Sequence, residues 1–400
     1  MRRAFPGVSA FVLAMSFVVA TANPSPAALR PSRVAAAAAT AGPALPACST
    51  AAAAAPDLST VKTAFAPVPG GSPFGVAVSP DSRFAFVASV AEPLSVYSLA
   101  LGGPAPVGTV SIGDAQTAGV TLTRDGRYLL AADDTGALVF RTSTLEKGGS
   151  LSFGAIATTL RSGGSGAIEV ATSPDGHFAF VTLEDSQEMA VFNLRRALAH
   201  GFGGSDLVGY VPLGLAPVGI AVSTSGRDLF VTSEGTTASE TEGTLTTVNL
   251  AKAERAPSHA VVSTVPAGCN PVRVVATRST VFVTSRASDA VVAFSVAGLV
   301  SHPAHALLGS VQVGEAPVGL ALVKHDTRLV VADSNRFGAS VAPSDLAVVT
   351  VGSNGQMTLG GYVDAGAFPR DMALSPNGKL LLVCNFDSGQ LEAVQVAGLP

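Results

Sequence analysis

Seven times between Val78 and Asn385, an apolar run is broken by a short polar turn and resumes as a second apolar run ending in small or polar residues. The copies read VSPDSRFAFVAS from Val78, LTRDGRYLLAAD from Leu122, TSPDGHFAFVTL from Thr172, VSTSGRDLFVTS from Val222, LVKHDTRLVVAD from Leu322 and LSPNGKLLLVCN from Leu374. A seventh, ATRSTVFVTS from Ala276, has a turn two residues shorter. Apolar runs of this length, bounded by turn residues, predict pairs of β-strands. In Ser79-Pro80-Asp81-Ser82 and Ser375-Pro376-Asn377-Gly378, Pro presets φ and Asp, Asn or Gly tolerates the tight backbone. The copies start 44 to 54 residues apart, a period that points to a repeat architecture.

A third apolar run follows each pair after a variable loop: LSVYSL from Leu94, ALVF from Ala137, MAVFNL from Met189, LTTVNL from Leu245, AVVAFSV from Ala290, LAVVTV from Leu346 and LEAVQV from Leu391. Most repeats add a fourth, such as VGTVSI from Val107, LVGYVPL from Leu207, AVVSTV from Ala260 and LGSVQV from Leu308. Four antiparallel strands repeated seven times are most economically arranged as a β-propeller, because radial closure leaves only short outer edges. The last repeat ends at Pro400 without a fourth strand, while VKTAFA from Val61 stands before the first. VKTAFA is followed by GGSPFG much as LGSVQV is followed by GEAPVG. The expected fold is therefore all-β: a seven-bladed β-propeller over residues 59–400, with the N-terminal strand completing the last blade.

The strand endings FVTS, VVAD and LVCN, the turn SPDG from Ser173, and PVG-[IL]-A ahead of two repeats resemble the YVTN family of β-propellers. The resemblance covers residues 60–398. The wider superfamily includes lactonase-like seven-bladed propellers, and its members range from enzymes to surface proteins, so the resemblance implies the fold more sharply than an activity.

Composition adds what lies outside the repeats. Arg2 and Arg3, an apolar run from Val8 to Ala20 and the small-x-small site Ala20-Thr21-Ala22 predict an export signal over residues 1–22. The run is short for a bilayer, so no transmembrane segment is expected after cleavage, and the protein is expected outside the cell or in the periplasm or envelope. Residues 23–58, nearly all Ala, Pro, Ser and Thr, read as a disordered tether. Three cysteines, Cys48, Cys269 and Cys384, allow one intramolecular bridge at most, and the sequence leaves its partners open. A net charge of −4 and pI near 5.9 show no basic stripe for nucleic acid or an anionic membrane. The chain is expected to act as a monomer.

In this connectivity the starts of the first strands and the loops between second and third strands share one face around the central channel, the default place for a site. Near the start of the first strand, four repeats carry Gly75, Gly119, Gly219 and Gly319, whereas the third has Glu169, the fifth Arg273 and the seventh Arg370 and Asp371. Glu169 and Asp371 could serve as general base or cation ligands while Arg273 and Arg370 hold an anionic substrate, since Arg presents a fork matched to carboxylate. The same charges could instead neutralise one another and fix blade geometry. The loops of this face are acidic, and Asp133, Glu184, Asp333 and Asp387 are the candidate ligands should a divalent cation such as Ca²⁺ bind; no cofactor is expected otherwise.

Resemblance to lactonase-like propellers implies a His, Glu and Arg cluster at the channel mouth. None of the six histidines, His177, His200, His259, His302, His305 and His325, stands at a first-strand start. No nucleophile elbow, phosphate loop or HExxH pattern is present, and Trp is absent. The expected role is therefore a binding scaffold that takes a small molecule or a protein at its channel-mouth face. The alternative is a lactonase-like hydrolase acting on a sugar-acid lactone or related small anion.

Overall fold

The computed structural model describes residues 43–48, 51–90, 93–152, 157–202, 206–235, 242–336 and 344–400. The expected signal, residues 1–22, and the tether up to residue 42 lie outside the described residues. The described chain forms seven sheets, antiparallel but for one added strand, here blades 1 to 7. Their inner strands are Pro73–Val78, Thr117–Leu122, Ala167–Thr172, Pro217–Val222, Pro271–Ala276, Pro317–Val323 and Pro369–Leu374. Each inner strand packs on the next and the seventh packs on the first, so the sheets close into a propeller.

Second strands read as unbroken apolar runs because neighbouring blades cover both their faces. In blade 4, for example, Leu229, Phe230 and Val231 are fully buried. The turns ahead of them hold themselves: Ser79 Oγ donates to Asp81 and accepts from the Arg83 and Phe84 amides. Ser173 with Asp175 and Ser375 with Asn377 repeat the arrangement. Every inner strand is bulged near its start against the second strand. An extra residue in one strand re-aims the side chains beside it, and this is where Glu169, Arg273 and Asp371 stand.

Blade 7 is completed from the N-terminus: Thr63–Pro67 pairs antiparallel with Gln390–Gln395, Thr63 opposite Val394 and Pro67 opposite Gln390. Blade 1 departs from four strands. Gly149–Ser152, from the third-to-fourth connection of blade 2, adds in parallel to Gly103–Ser111, while Ala157–Arg161 serves as the fourth strand of blade 2.

The end of the expected tether is not free. Cys48 is disulfide-bonded to Cys269 at the end of the outer strand of blade 4, and Cys384 stays buried and unpaired by disulfide. The Ala53 amide donates to the Val313 carbonyl beyond blade 5, and Asp57 forms a parallel bridge with Tyr362 in the outer strand of blade 6. The Tyr362 hydroxyl donates to the Ala53 carbonyl. A stretch of Ala and Pro has few side chains to bury, but its backbone can satisfy the unpaired edge groups of outer strands. This strap joins blades 4, 5, 6 and 7 before the closing strand begins.

Burial in blade 7 pushes the Glu392 carboxyl from 4.5 up to about 7, against an opposing hydrogen bond from Asn385 Nδ2. The folded chain therefore holds this proton more tightly than the unfolded chain. That stabilisation is complete below about pH 4.5 and is lost as pH rises through about 7. We expect a higher Tm at about pH 5 than at about pH 8, and a flatter profile in Glu392→Gln; calorimetry showing the same slope in both proteins would contradict this.

Candidate functional site

Glu169, Arg273 and Asp371 come from blades 3, 5 and 7 and meet across the central channel. Arg273 Nη2 lies 3.3 Å from Glu169 Oε2, and Arg273 Nε lies 3.8 Å from Asp371 Oδ1. Asp371 Oδ2 also accepts the Val76 amide at 3.0 Å, which ties blade 7 to blade 1 at the ring's closure. The three side chains are 12%, 8% and 17% exposed. Both carboxyls are pushed above their usual range, first by burial, while Arg273 pulls them back. Gly119 makes the space for this arrangement, since a Cβ there would run into the Glu169 carboxylate. The glycines at equivalent positions in the other repeats are thus part of the same pattern: small residues let inner strands and charged side chains approach.

Closer to the mouth lies an apolar collar. Val218, Val272, Val318 and Phe368 pack together, with Ile168 and Phe386 against them. Arg370 is the charged member of this tier. Its guanidinium carbon stacks 3.7 Å from the centre of the Phe74 ring and lies 5.6 Å and 5.7 Å from those of Phe368 and Phe386. Among the described residues no carboxylate pairs with it, and its Nε has no hydrogen-bond partner. Burial and the neighbouring Arg273, Arg336 and Arg286 push it down to about 9. Phe368 holds a left-handed φ of 52°, as Ser72, Ala216, Asn270 and Ala316 do at the equivalent position before the inner-strand proline, so this backbone belongs to the repeat and only the aromatic side chain is particular to blade 7.

Loops between second and third strands form the rim. Glu234 of blade 4 and Arg286 of blade 5 make a buried two-pronged pair, at 3.1 Å and 2.8 Å. Arg336 lies over the Phe368 ring at 5.3 Å. Glu184 is pushed up by burial and by Glu234, with Arg370 and Arg286 opposing the shift.

The four proposed catalytic residues are therefore brought to one place: Arg273 pairs with both carboxyls, while Arg370 makes no ion pair among the described residues and acts on the two acids only at longer range. The four proposed cation ligands are not brought together. Glu184 and Asp387 act electrostatically on Arg336 at the mouth, whereas Asp133 pairs with Arg161 at 3.3 Å within blade 2. Asp333 faces Asp345 across blade 6 and is pushed well above its usual range by burial and by that neighbour. Among the described residues no three carboxylate, His or Cys side chains are gathered as a metal would require.

Sequence reasoning did not assign the Glu234–Arg286 pair or the aromatic wall. One signal was available for the wall. Phe74 occupies the second position of its inner strand, where the other repeats carry Ala118, Ile168, Val218, Val272, Val318 and Arg370. It is the aromatic exception, and it lies in the blade next to Arg370.

The chain is a seven-bladed β-propeller, and its last two blades are similar to those of lactonase-type propellers. A family model described as lactonase, 7-bladed beta-propeller, matches residues 319–398, which span the inner strand of blade 6 through blade 7 and include Arg370 and Asp371. Among solved structures, the Kuenenia stuttgartiensis hydrazine synthase is similar at 15% identity and a TM-score of 0.63, covering 82% of this chain and 96% of that one. A chain of the mitotic checkpoint complex is similar at 13% identity and a TM-score of 0.63, covering 91% and 99%. At such identities the likeness is one of fold alone. No curated protein matches the chain.

Proposed function

We propose that this propeller is an exported binding scaffold whose channel mouth takes a small anionic molecule, with Arg370 as its anchor. The carrying observation is an arginine stacked on Phe74, flanked by three other arginines and without a carboxylate partner among the described residues. A bound carboxylate would relieve the strain that burial places on its charge, and a charge-assisted fork to Arg is among the stronger polar contacts. The collar of Val218, Val272, Val318, Phe368 and Phe386 offers apolar contact for the rest of a small ligand. Export is supported by the Cys48–Cys269 disulfide, since such bonds persist chiefly in oxidising compartments.

Gluconate or glucuronate should raise the melting temperature of the purified protein, because a ligand that binds only the folded state stabilises it by mass action. Arg370→Met, which keeps much of the stacked volume, should weaken binding by about 10-fold or more, the usual worth of a charged hydrogen-bonding partner. Equal thermal shifts in the two proteins would remove Arg370 from the role.

One observation favours a hydrolytic reading as well: the buried Glu169 carboxyl is pushed upward, toward the range where a general base works near neutrality. In that reading Glu169 activates water against a lactone held by Arg370. Ring opening of glucono-1,5-lactone, followed by base uptake at constant pH, should then exceed the spontaneous rate and fall in Glu169→Gln. A wild-type rate equal to the spontaneous one would leave binding as the role of the mouth.

A further inference from the structure

On the face opposite the mouth, formed by the turns between first and second strands, the packing of one turn on the next is interrupted between blades 2 and 3, as it is ahead of Gly378 in blade 7. The second residue of one turn packs on the glycine of the next: a Cβ at Gly126 would meet the Pro80 ring at 2.5 Å, and one at Gly226 would meet the Pro174 ring at 2.9 Å. Between blades 2 and 3 the proline is replaced by Arg124, and nothing lies within 4 Å of where a Gly176 Cβ would stand. Where the filler is missing, a groove of about 540 Å³ opens, within the range of small-ligand sites.

Arg124, Arg127, Tyr128, His177, Arg195 and Leu198 line this groove. Arg195 and Leu198 come from the short helix Leu194–His200 that follows the third strand of blade 3, so one wall belongs to each blade. The groove also holds Asp125 and Asp175, but both are engaged by their own turns. Asp125 accepts from Thr123 Oγ1 and the Arg127 amide and lies 3.6 Å from Arg127 Nε. Asp175 accepts from Ser173 Oγ and the His177 amide and lies 3.0 Å from His177 Nδ1. Arg124 and Arg195 have no carboxylate partner among the described residues and stand exposed on opposite walls. Two forks facing one open volume suit a tetrahedral oxyanion, while Tyr128, Pro174 and Leu198 supply surface for a ring.

We propose that this groove binds a phosphorylated small molecule of about sugar size, its phosphate held between Arg124 and Arg195. The site is separate from the channel mouth and does not depend on what the mouth binds. Arg124→Pro is the natural filling variant: it restores the residue used in blades 1, 3 and 7, and among the described residues the Arg124 amide makes no hydrogen bond that proline would remove.

The test is titration calorimetry of the purified protein with glucose 6-phosphate, glucose and inorganic phosphate. Glucose 6-phosphate should bind and glucose should not. Arg124→Pro and Arg195→Ala should each weaken binding about 10-fold or more, with an unchanged or higher Tm for Arg124→Pro. Arg370→Met should bind as the wild type does. Inorganic phosphate binding as tightly, with the same sensitivity to both groove variants, upholds the site and identifies the free ion as its ligand. Absence of binding to either phosphate, affinity unaltered in both groove variants, or loss confined to Arg370→Met would overturn the proposal.

Discussion

Arg273→Met is expected to destabilise the ring by about 3–5 kcal/mol at pH 8, the usual cost of leaving a buried charge without its partner. The substitution removes the cation that lies between Glu169 and Asp371, at 3.3 Å and 3.8 Å, and leaves two carboxyls in a site that already disfavours their charged forms. Those carboxyls can escape by taking protons. The folded variant should therefore bind more protons than the unfolded chain above the ordinary carboxylate range, and its stability should fall more steeply from about pH 5 to about pH 8 than that of the wild type. Denaturant melts at both pH values measure this directly. The triple variant Glu169→Gln, Arg273→Met, Asp371→Asn should recover much of the loss, because it removes charge and counter-charge together. A single variant as stable as the wild type at pH 8 would mean that water already solvates the triad and that it does not tie the blades together.

Removing residues 59–67 is expected to cost roughly 5 kcal/mol or more, since burying a valine side chain is worth about 1.5–3 kcal/mol and the closing segment buries Val61 and Ala66 while aligning the strap. It also leaves the edge of Gln390–Gln395 unpaired, exposing a template for association with other chains. Because such a truncation could fail to fold, Cys48→Ser provides the milder arm. The disulfide closes a span of 221 residues, and loss of a native bridge typically costs about 2–5 kcal/mol. The Cys48→Ser protein should fold, melt several degrees lower and respond no further to reductant, whereas the wild type should lose stability when reduced. Equal melting temperatures for wild type, Cys48→Ser and the truncated chain would show that the ring closes without its N-terminal strap.

The blade count, the turns and the closing strand were legible because each rests on local chemistry repeated many times. Pro80, Gly126 and Gly176 mark turns wherever they stand, and an apolar run of six residues is a strand in any blade. The missing fourth strand after Leu391 and the spare strand at Val61 could be matched from their flanking glycines and prolines alone. The charged exceptions Glu169, Arg273, Arg370 and Asp371 were likewise visible against small residues at the equivalent positions.

What they do with one another was not. Residues 169, 273 and 371 are about a hundred positions apart, and only the closed ring brings them within ion-pair distance, with Arg273 between the two acids and Arg370 apart on Phe74. The tether shows the same limit. Its Ala and Pro composition describes a chain with nothing to bury, but the edges of the outer strands in blades 5 and 6 gave its backbone partners, and Cys269 rather than Cys384 gave Cys48 its bridge. A net charge of −4 conceals how charge is distributed: Arg124 and Arg195 come to one groove beside Asp125 and Asp175, while Arg286, Arg336 and Arg370 gather with Glu184 and Glu234 at the mouth.

Sequence alone determined the strands, their sevenfold repetition and where the ring is joined, because propensity, turn chemistry and hydrophobic patterning act between near neighbours. Tertiary structure decided which charges pair with one another, which arginine stacks on aromatic rings outside those pairs and where the strap is fastened. Those outcomes depend on distances across the ring and on burial, neither of which is written at any single position of the chain.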